Sequence, residues 1–208
     1  MQHLHVHPEN PQPRLISVAV NSLREGGVIA YPTDSAYAIG CHIGDIDAVR
    51  RLRALRGLDE KHYLTLVCAD LSQIANYARV DNTAFRILKR ATPGPFTFIL
   101  RATREVPKRL QTPKRNEIGL RVPAHNVALA LLAELGEPIL SATLIPAGET
   151  EPLHEPDDIA ARKWNGLNLF LDAGACPNDA TTIIHLDEDG EAEILRIGSG
   201  DPAAIGLQ

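Results

Sequence analysis

Apolar residues recur along this chain at two spacings, and the switches between them lay out its elements. In RLISVAVNSLREGG, Leu15, Val18, Ala19, Ser22 and Leu23 share one side of a 3.6-residue period closed by Gly26 and Gly27, which predicts a helix leading into the apolar strand VIAYPT. DIDAVRRLRALRG places Ile46, Val49, Leu52 and Leu55 on one helical face and Arg50, Arg53 and Arg56 along another. A strand-like YLTLVC follows. Two helices come next: DLSQIANYA opens with Asp70 and Gln73 in capping-box spacing, and DNTAFRILKRATPG opens on an Asp81 cap. PFTFILRAT, IGLRVPA and PILSATL read as strands, and NVALALLAELG between the last two as a buried helix. The Pro- and Gly-bearing acidic stretch IPAGETEPLHEPDD reads as a loop, and LNLFLDAG, TTIIHLD and AEILRIG as closing strands with a tight turn at DEDGE. Intermixed helices and strands predict one α/β domain over residues 1–208, a single twisted mixed sheet with flanking helices.

Composition changes that picture little. With 208 residues, 44% hydrophobic and 23% charged, the chain is long enough to bury a sizeable core. Its most apolar windows are too short for a bilayer, and MQHLHVHPEN lacks a signal-peptide pattern, so a cytoplasmic protein without membrane contact is expected. Cys41, Cys68 and Cys176 are odd in number and widely spaced, which argues against a disulfide framework or a structural zinc site and for buried free thiols.

Charge changes it more. The net charge of −5 hides a basic block at 48–115, with 15 Lys or Arg against 5 Asp or Glu, and an acidic block at 134–208, with 3 against 15. The basic block is suited to a polyanion unless the two blocks pair across the fold.

In open α/β sheets, ligands sit just beyond strand ends, which draws attention to four places. These are Thr33, Asp34 and Ser35 after VIAY; the bend Pro93, Gly94, Pro95 before TFIL; Arg121 inside the apolar GLRVP; and Ser141 with Thr143 in PILSATL. Each has a structural alternative as well: a turn for Thr33 to Ser35, an ion-paired cation for Arg121, a satisfied backbone group for Ser141. No phosphate-binding loop, dinucleotide fingerprint, nucleophile elbow or H-E-x-x-H competes with them. His3, His5 and His7 alternate, a spacing able to hold a metal, but they read as a half-exposed edge strand, and no protein-bound metal is expected.

Taken in order, the segments YPTDSAYAIG, TPGPFTFIL, IGLRVPAHNVALALL, GEPILSATL, TTIIHL and ILRIG resemble the YrdC/YciO family, on its YciO-like branch, over roughly residues 15–200. The resemblance implies a twisted α/β domain with a concave, positively charged cavity able to bind nucleotide and double-stranded RNA. Its best-known members make threonylcarbamoyl-adenylate from threonine, bicarbonate and ATP with Mg²⁺, releasing pyrophosphate, for tRNA modification. By that resemblance Thr33, Arg121, Ser141 and Thr182 would hold threonine. Arg56, His62, Thr143 and Arg196 would face the nucleotide, with Arg56 in the catalytic position, and Arg50, Arg53 and Lys61 would meet RNA. The active synthases carry K-x-R-P-x-x-N-P-L where this chain reads RGLDEKHYL. Arg56 thus replaces the Lys, Leu58 the Arg, Asp59 the Pro and His62 the Asn, while Val67 stands where His is frequent and Thr143 replaces an Asn. Either a weakened synthase or a non-catalytic nucleotide- or RNA-binding protein follows from this.

Overall fold

The computed structural model describes residues 1–59, 62–112, 116–188 and 190–207. Its centre is one mixed sheet built from β1 (Gln2–His5), β2 (Ile29–Pro32), β3 (Tyr37–His42), β4 (Thr65–Val67), β5 (Phe96–Arg101), β6 (Glu117–Arg121), β7 (Ile139–Thr143), β8 (Leu169–Asp172), β9 (Thr182–Leu186) and β10 (Ala192–Arg196). Among the described residues these strands lie in the order β1-β8-β2-β3-β7-β4-β6-β5-β9-β10. Four pairs are parallel (β1 with β8, β8 with β2, β4 with β6, β5 with β9) and the other described pairs antiparallel, so the sheet is mixed as the sequence suggests.

The helices α1 (Pro13–Arg24), α2 (Ile46–Arg56), α3 (Leu71–Tyr77), α4 (Asn82–Ala91), α5 (Asn126–Leu135) and the short α6 (Pro156–Ala160) flank the sheet. Their ends follow the sequence signals. The carboxylates of Asp70 and Asp81 accept from the N–H groups of Gln73 and Ala84 at 2.8 and 2.7 Å, and the Gln73 side chain reaches back to the N–H of Ala69. At the end of α2, Gly57 turns left-handed at φ 64°, a conformation that other residues adopt only with strain.

Strand alternation divides the core in two. Ile39, Leu66, Phe98 and Ile184 point to one face, where Leu52, Ile74 and Leu88 of α2, α3 and α4 cover them. On the other face Ile29, Tyr31, Ile139 and Leu169 meet Ile16, Val20, Leu131 and Leu132 of α1 and α5. This second cluster takes nothing from β5, β6 or β9, so α1 and α5 shelter only part of their face. The rest is where a hollow can form.

Three expectations change. The stretch AYAIGC, given no element from sequence, is β3; Ala38 and Gly40 on one face are too small to register as half of an apolar strand, and Tyr37, Ile39 and Cys41 fill the other. The acidic loop contains the start of α6, which Pro156 opens at its first turn. Finally, β1 stops at His5, so His7 leaves the alternating row, and its ring nitrogen instead accepts from the N–H groups of Glu9 and Asn10. Among the described residues no helix is long and apolar enough to cross a membrane.

A pH dependence follows from α5. His125 caps it, with Nδ1 accepting the Val127 N–H at 3.3 Å, and burial pushes this imidazole below its ordinary value. A neutral ring can accept that bond and an imidazolium cannot. The unfolded chain therefore binds the proton more readily, and stability present above about pH 6.5 is lost as pH falls through the lowered native value. Thermal unfolding across pH 5–8 should show a shallower slope for His125→Asn, which caps without titrating; an unchanged slope would remove the assignment.

Candidate functional site

The uncovered part of the sheet is the floor of a cavity of about 600 Å³. Residues of alternate parity supply it: Thr65 and Val67 from β4, Thr97 and Ile99 from β5, Gly119 and Arg121 from β6, Ser141 and Thr143 from β7, Ile183 from β9. Their intervening partners Leu66, Phe98, Leu120, Leu140 and Ile184 are buried on the opposite face. Gly119 keeps the floor low, since a Cβ there would sit 3.1 Å from Thr65 Oγ1. The bend at Pro93 to Pro95 is pinned beside Arg121, with the Gly94 N–H donating to Val122 O at 3.0 Å.

The turn after β2 forms one wall. Thr33 is 2% exposed, and its hydroxyl donates to Ala36 O at 2.6 Å while accepting from the N–H groups of Ser35 and Ala36. With that proton spent, the 3.1 Å contact between Thr33 and Ser35 must be a donation from the Ser35 hydroxyl, which in turn accepts from Arg121 NH1 at 2.9 Å. Arg121 NH2 also meets the Asp34 carboxylate, and the pair is nearly sealed, at 10% and 13% side-chain exposure. Burial pushes the guanidinium below its ordinary value and Asp34 opposes that shift. Arg121 uses two of its five N–H donors in this way; its Nε and the second oxygen of Asp34 have no protein partner among the described residues.

Ser141 is likewise committed inward. Its hydroxyl donates to Ile39 O at 2.9 Å and accepts from the Tyr31 phenol at 2.7 Å, whose pKa burial raises to about 12, so the phenol stays a donor. The hydroxyls of Thr33 and Ser141 therefore orient the wall, and the capacity left for a ligand lies mainly in the charged groups. Both hydroxyls line the cavity, and each has its own proton donated to a backbone carbonyl.

Thr182 is displaced from the site altogether. Strand parity turns it away, fully buried, to donate to Gly200 O and accept from the Gly198 N–H. Its neighbour Thr181 lines the cavity instead, paired with Thr97 at 2.9 Å. A β-bulge between Ile194 and Arg196 brings Arg196 opposite Ile183, and its guanidinium grips Thr181 O from two nitrogens.

At the rim, Arg56 donates to Ile145 O at 2.6 Å and keeps Nε without a partner among the described residues. Burial, with Arg56 and Arg53 close by, pushes the His62 imidazole down, so it adds no cation at neutral pH. Among the described lining residues are three arginines, 56, 121 and 196, and no carboxylate. One of these guanidiniums, that of Arg121, is already paired with Asp34 behind the lining.

The model of the Sua5/YciO/YrdC family, described as telomere recombination, matches residues 21–198. The chain belongs to this family. Its fold overlays the crystal structure of E. coli YciO with a TM-score of 0.92 at 45% identity, over 98% of each chain. It is 39% identical over 143 residues to a threonylcarbamoyl-AMP synthase of Chromobacterium violaceum, 68% of this chain and 74% of that protein. P. abyssi Sua5, in complex with L-threonine, shares the fold with a TM-score of 0.89 at 24% identity, over 99% of this chain and 61% of that one.

Within this member of the Sua5/YciO/YrdC family, Thr33, Arg121, Ser141, Arg56, His62, Thr143 and Arg196 all line one cavity. The two described residues assigned to RNA, Arg50 and Arg53, end in different surroundings from each other and from Arg56 on the same helix. Arg50 lies in solvent with Asp47, Arg53 NH1 closes on the carbonyls of Asp59 and His62, and Arg56 turns into the cavity. Lys61 lies outside the described residues. The charge blocks do pair in part: Arg79 and Arg101 both meet Glu188. Sequence reasoning missed Thr181, Thr97, Tyr63 and Gly119 as lining residues. The alternation of Thr97 with the apolar Phe96 and Phe98 was the signal for Thr97, and none marked Thr181.

Proposed function

We propose that this cavity binds threonine and MgATP and joins them with bicarbonate into threonylcarbamoyl-AMP, releasing pyrophosphate, at a reduced rate. The supporting observation is the set of three guanidiniums and no carboxylate among the described residues lining a hollow of small-molecule size. The named activity of the C. violaceum relative and the threonine complex of P. abyssi Sua5 make threonine the amino acid to test. In this reading Arg121, steadied by Ser35 and Asp34, offers its remaining donors to the threonine carboxylate. The threonine amine and bicarbonate give a carbamate and water. A carbamate oxygen then attacks the α-phosphorus, and the bond to pyrophosphate breaks. Arg56 and Arg196 face the phosphate charge. With no carboxylate among the described lining residues, Mg²⁺ would arrive on the phosphates.

The reduced rate rests on Leu58, Asp59 and a neutral His62 near the phosphate-facing rim. One missing preorganised donor costs roughly 10² to 10³ in rate. The alternative, ligand binding without turnover, draws on the same residues.

Pyrophosphate release at high protein concentration separates the two. Slow release that requires threonine, bicarbonate and ATP together is expected. Threonine or ATP binding without release would leave the binding reading alone, no threonine binding would remove the synthase reading, and binding of neither ligand nor of double-stranded RNA would remove both.

A further inference from the structure

A second cluster lies at the far edge of the sheet, away from the cavity. There β1 runs parallel to β8, with His3 across from Phe170 and His5 across from Asp172. The two-residue repeat of a strand puts both imidazoles on the same side, 4.4 Å apart between ring centres, and His3 stacks on Phe170 at 4.7 Å. Both converge on one oxygen: His3 Nε2 is 2.8 Å and His5 Nδ1 3.1 Å from Asp172 Oδ2. The other oxygen, Oδ1, accepts the Gly174 N–H at 3.0 Å, which fixes the orientation of the carboxylate. Asp172 is sheltered at 11% side-chain exposure, His3 is 30% exposed and His5 79%, so the cluster is backed by protein and open to solvent on one side.

We propose that His3 Nε2, His5 Nδ1 and Asp172 Oδ2 form a binding site for a late first-row divalent cation of the Zn²⁺ class. Two neutral imidazoles and one carboxylate are the donor set such ions take, with water completing the shell on the open side. The three donor atoms lie within 4.8 Å of one another. Metal–ligand bonds of about 2.0–2.1 Å in a tetrahedron set donors about 3.3 Å apart, so small rotations of the exposed His5 admit the ion. The Gly174 N–H on Oδ1 orients the ligating carboxylate, as partners behind metal ligands commonly do.

The ion would tie the four-residue β1 to the end of β8. The segment that follows is already fastened inward, because the Tyr37 hydroxyl donates to Gly174 O at 2.8 Å and accepts the Ala173 N–H at 3.2 Å. The site is therefore a clamp on the edge of the sheet, and its own three ligands are not among the residues lining the cavity, although Tyr37 is.

The test uses the full-length, tag-free protein stripped with chelator and titrated with Zn²⁺ by calorimetry and with Co²⁺ by visible absorption. One equivalent of each is expected, with a d–d spectrum for Co²⁺ and a rise in Tm on Zn²⁺ addition. His5→Gln, at an exposed position, and Asp172→Asn, which keeps an oxygen for the Gly174 N–H, should each weaken binding at least tenfold by the scale of lost metal contacts. His7→Gln should bind as the parent does, and threonine affinity should be the same in all forms. Absence of one-equivalent binding in the parent protein would overturn the site, as would full affinity in His5→Gln.

Discussion

Replacing Arg121 with lysine is expected to weaken threonine binding by about 10- to 100-fold, the scale of one lost charge-assisted hydrogen-bond pair, while ATP affinity stays within about twofold. The argument is geometric. Arg121 holds Ser35 with one terminal nitrogen and Asp34 with the other, and still has donors left for a ligand carboxylate. An ammonium is a single point on a flexible stem: satisfying Asp34 takes it away from the ligand, and reaching the ligand strands Asp34. Calorimetric titrations of threonine and of ATP on the same preparation read the split. Equal losses for both ligands would mean that the substitution loosened the wall as a whole and that Arg121 is no carboxylate fork.

The second large effect concerns stability. Asp34→Ala should cost about 3–5 kcal/mol in chemical denaturation, because it leaves the sealed Arg121 cation without its counter-charge. Burial already disfavours that cation, and Asp34 is the main opposing influence. A double variant, Asp34→Ala with Arg121→Met, should recover most of the loss, since an apolar pair of similar volume removes the uncompensated charge. Threonine binding should be lost in the double variant, which lacks the Arg121 guanidinium. If Asp34→Ala alone costs less than about 1 kcal/mol, the pair behaves as a solvated surface pair, and the enclosed wall described here is wrong.

The helices α1 to α5 were legible from their apolar spacing and from local end signals such as Asp70, Asp81 or Gly57, whose physics acts within a few residues, whereas the five-residue α6 is too short to show a stripe. The place of the cavity was legible from polar residues at strand ends. What sequence could not carry was direction. Thr182 and Thr181 differ only in parity, and parity depends on where the strand enters the sheet. Arg50, Arg53 and Arg56 share a helical face, yet their long side chains end in solvent, in a loop and in the cavity, according to which carbonyls lie within reach. Likewise, the hydroxyls of Thr33 and Ser141 were expected to serve a ligand, but nearer backbone acceptors claim them. The basic and acidic blocks look like separate surfaces in the sequence, and Glu188 draws parts of both together.

The bulge that aims Arg196 also has a bearing on self-association. Beyond β10 the sheet offers an outer row of backbone donors and acceptors, flanked by the half-exposed Leu195 and the exposed Ile197. A regular row of that kind would template the same strand of another molecule. Because the register shifts between Ile194 and Arg196, an incoming strand finds no continuous ladder, and the irregularity that serves the cavity also discourages fibre-like stacking of copies.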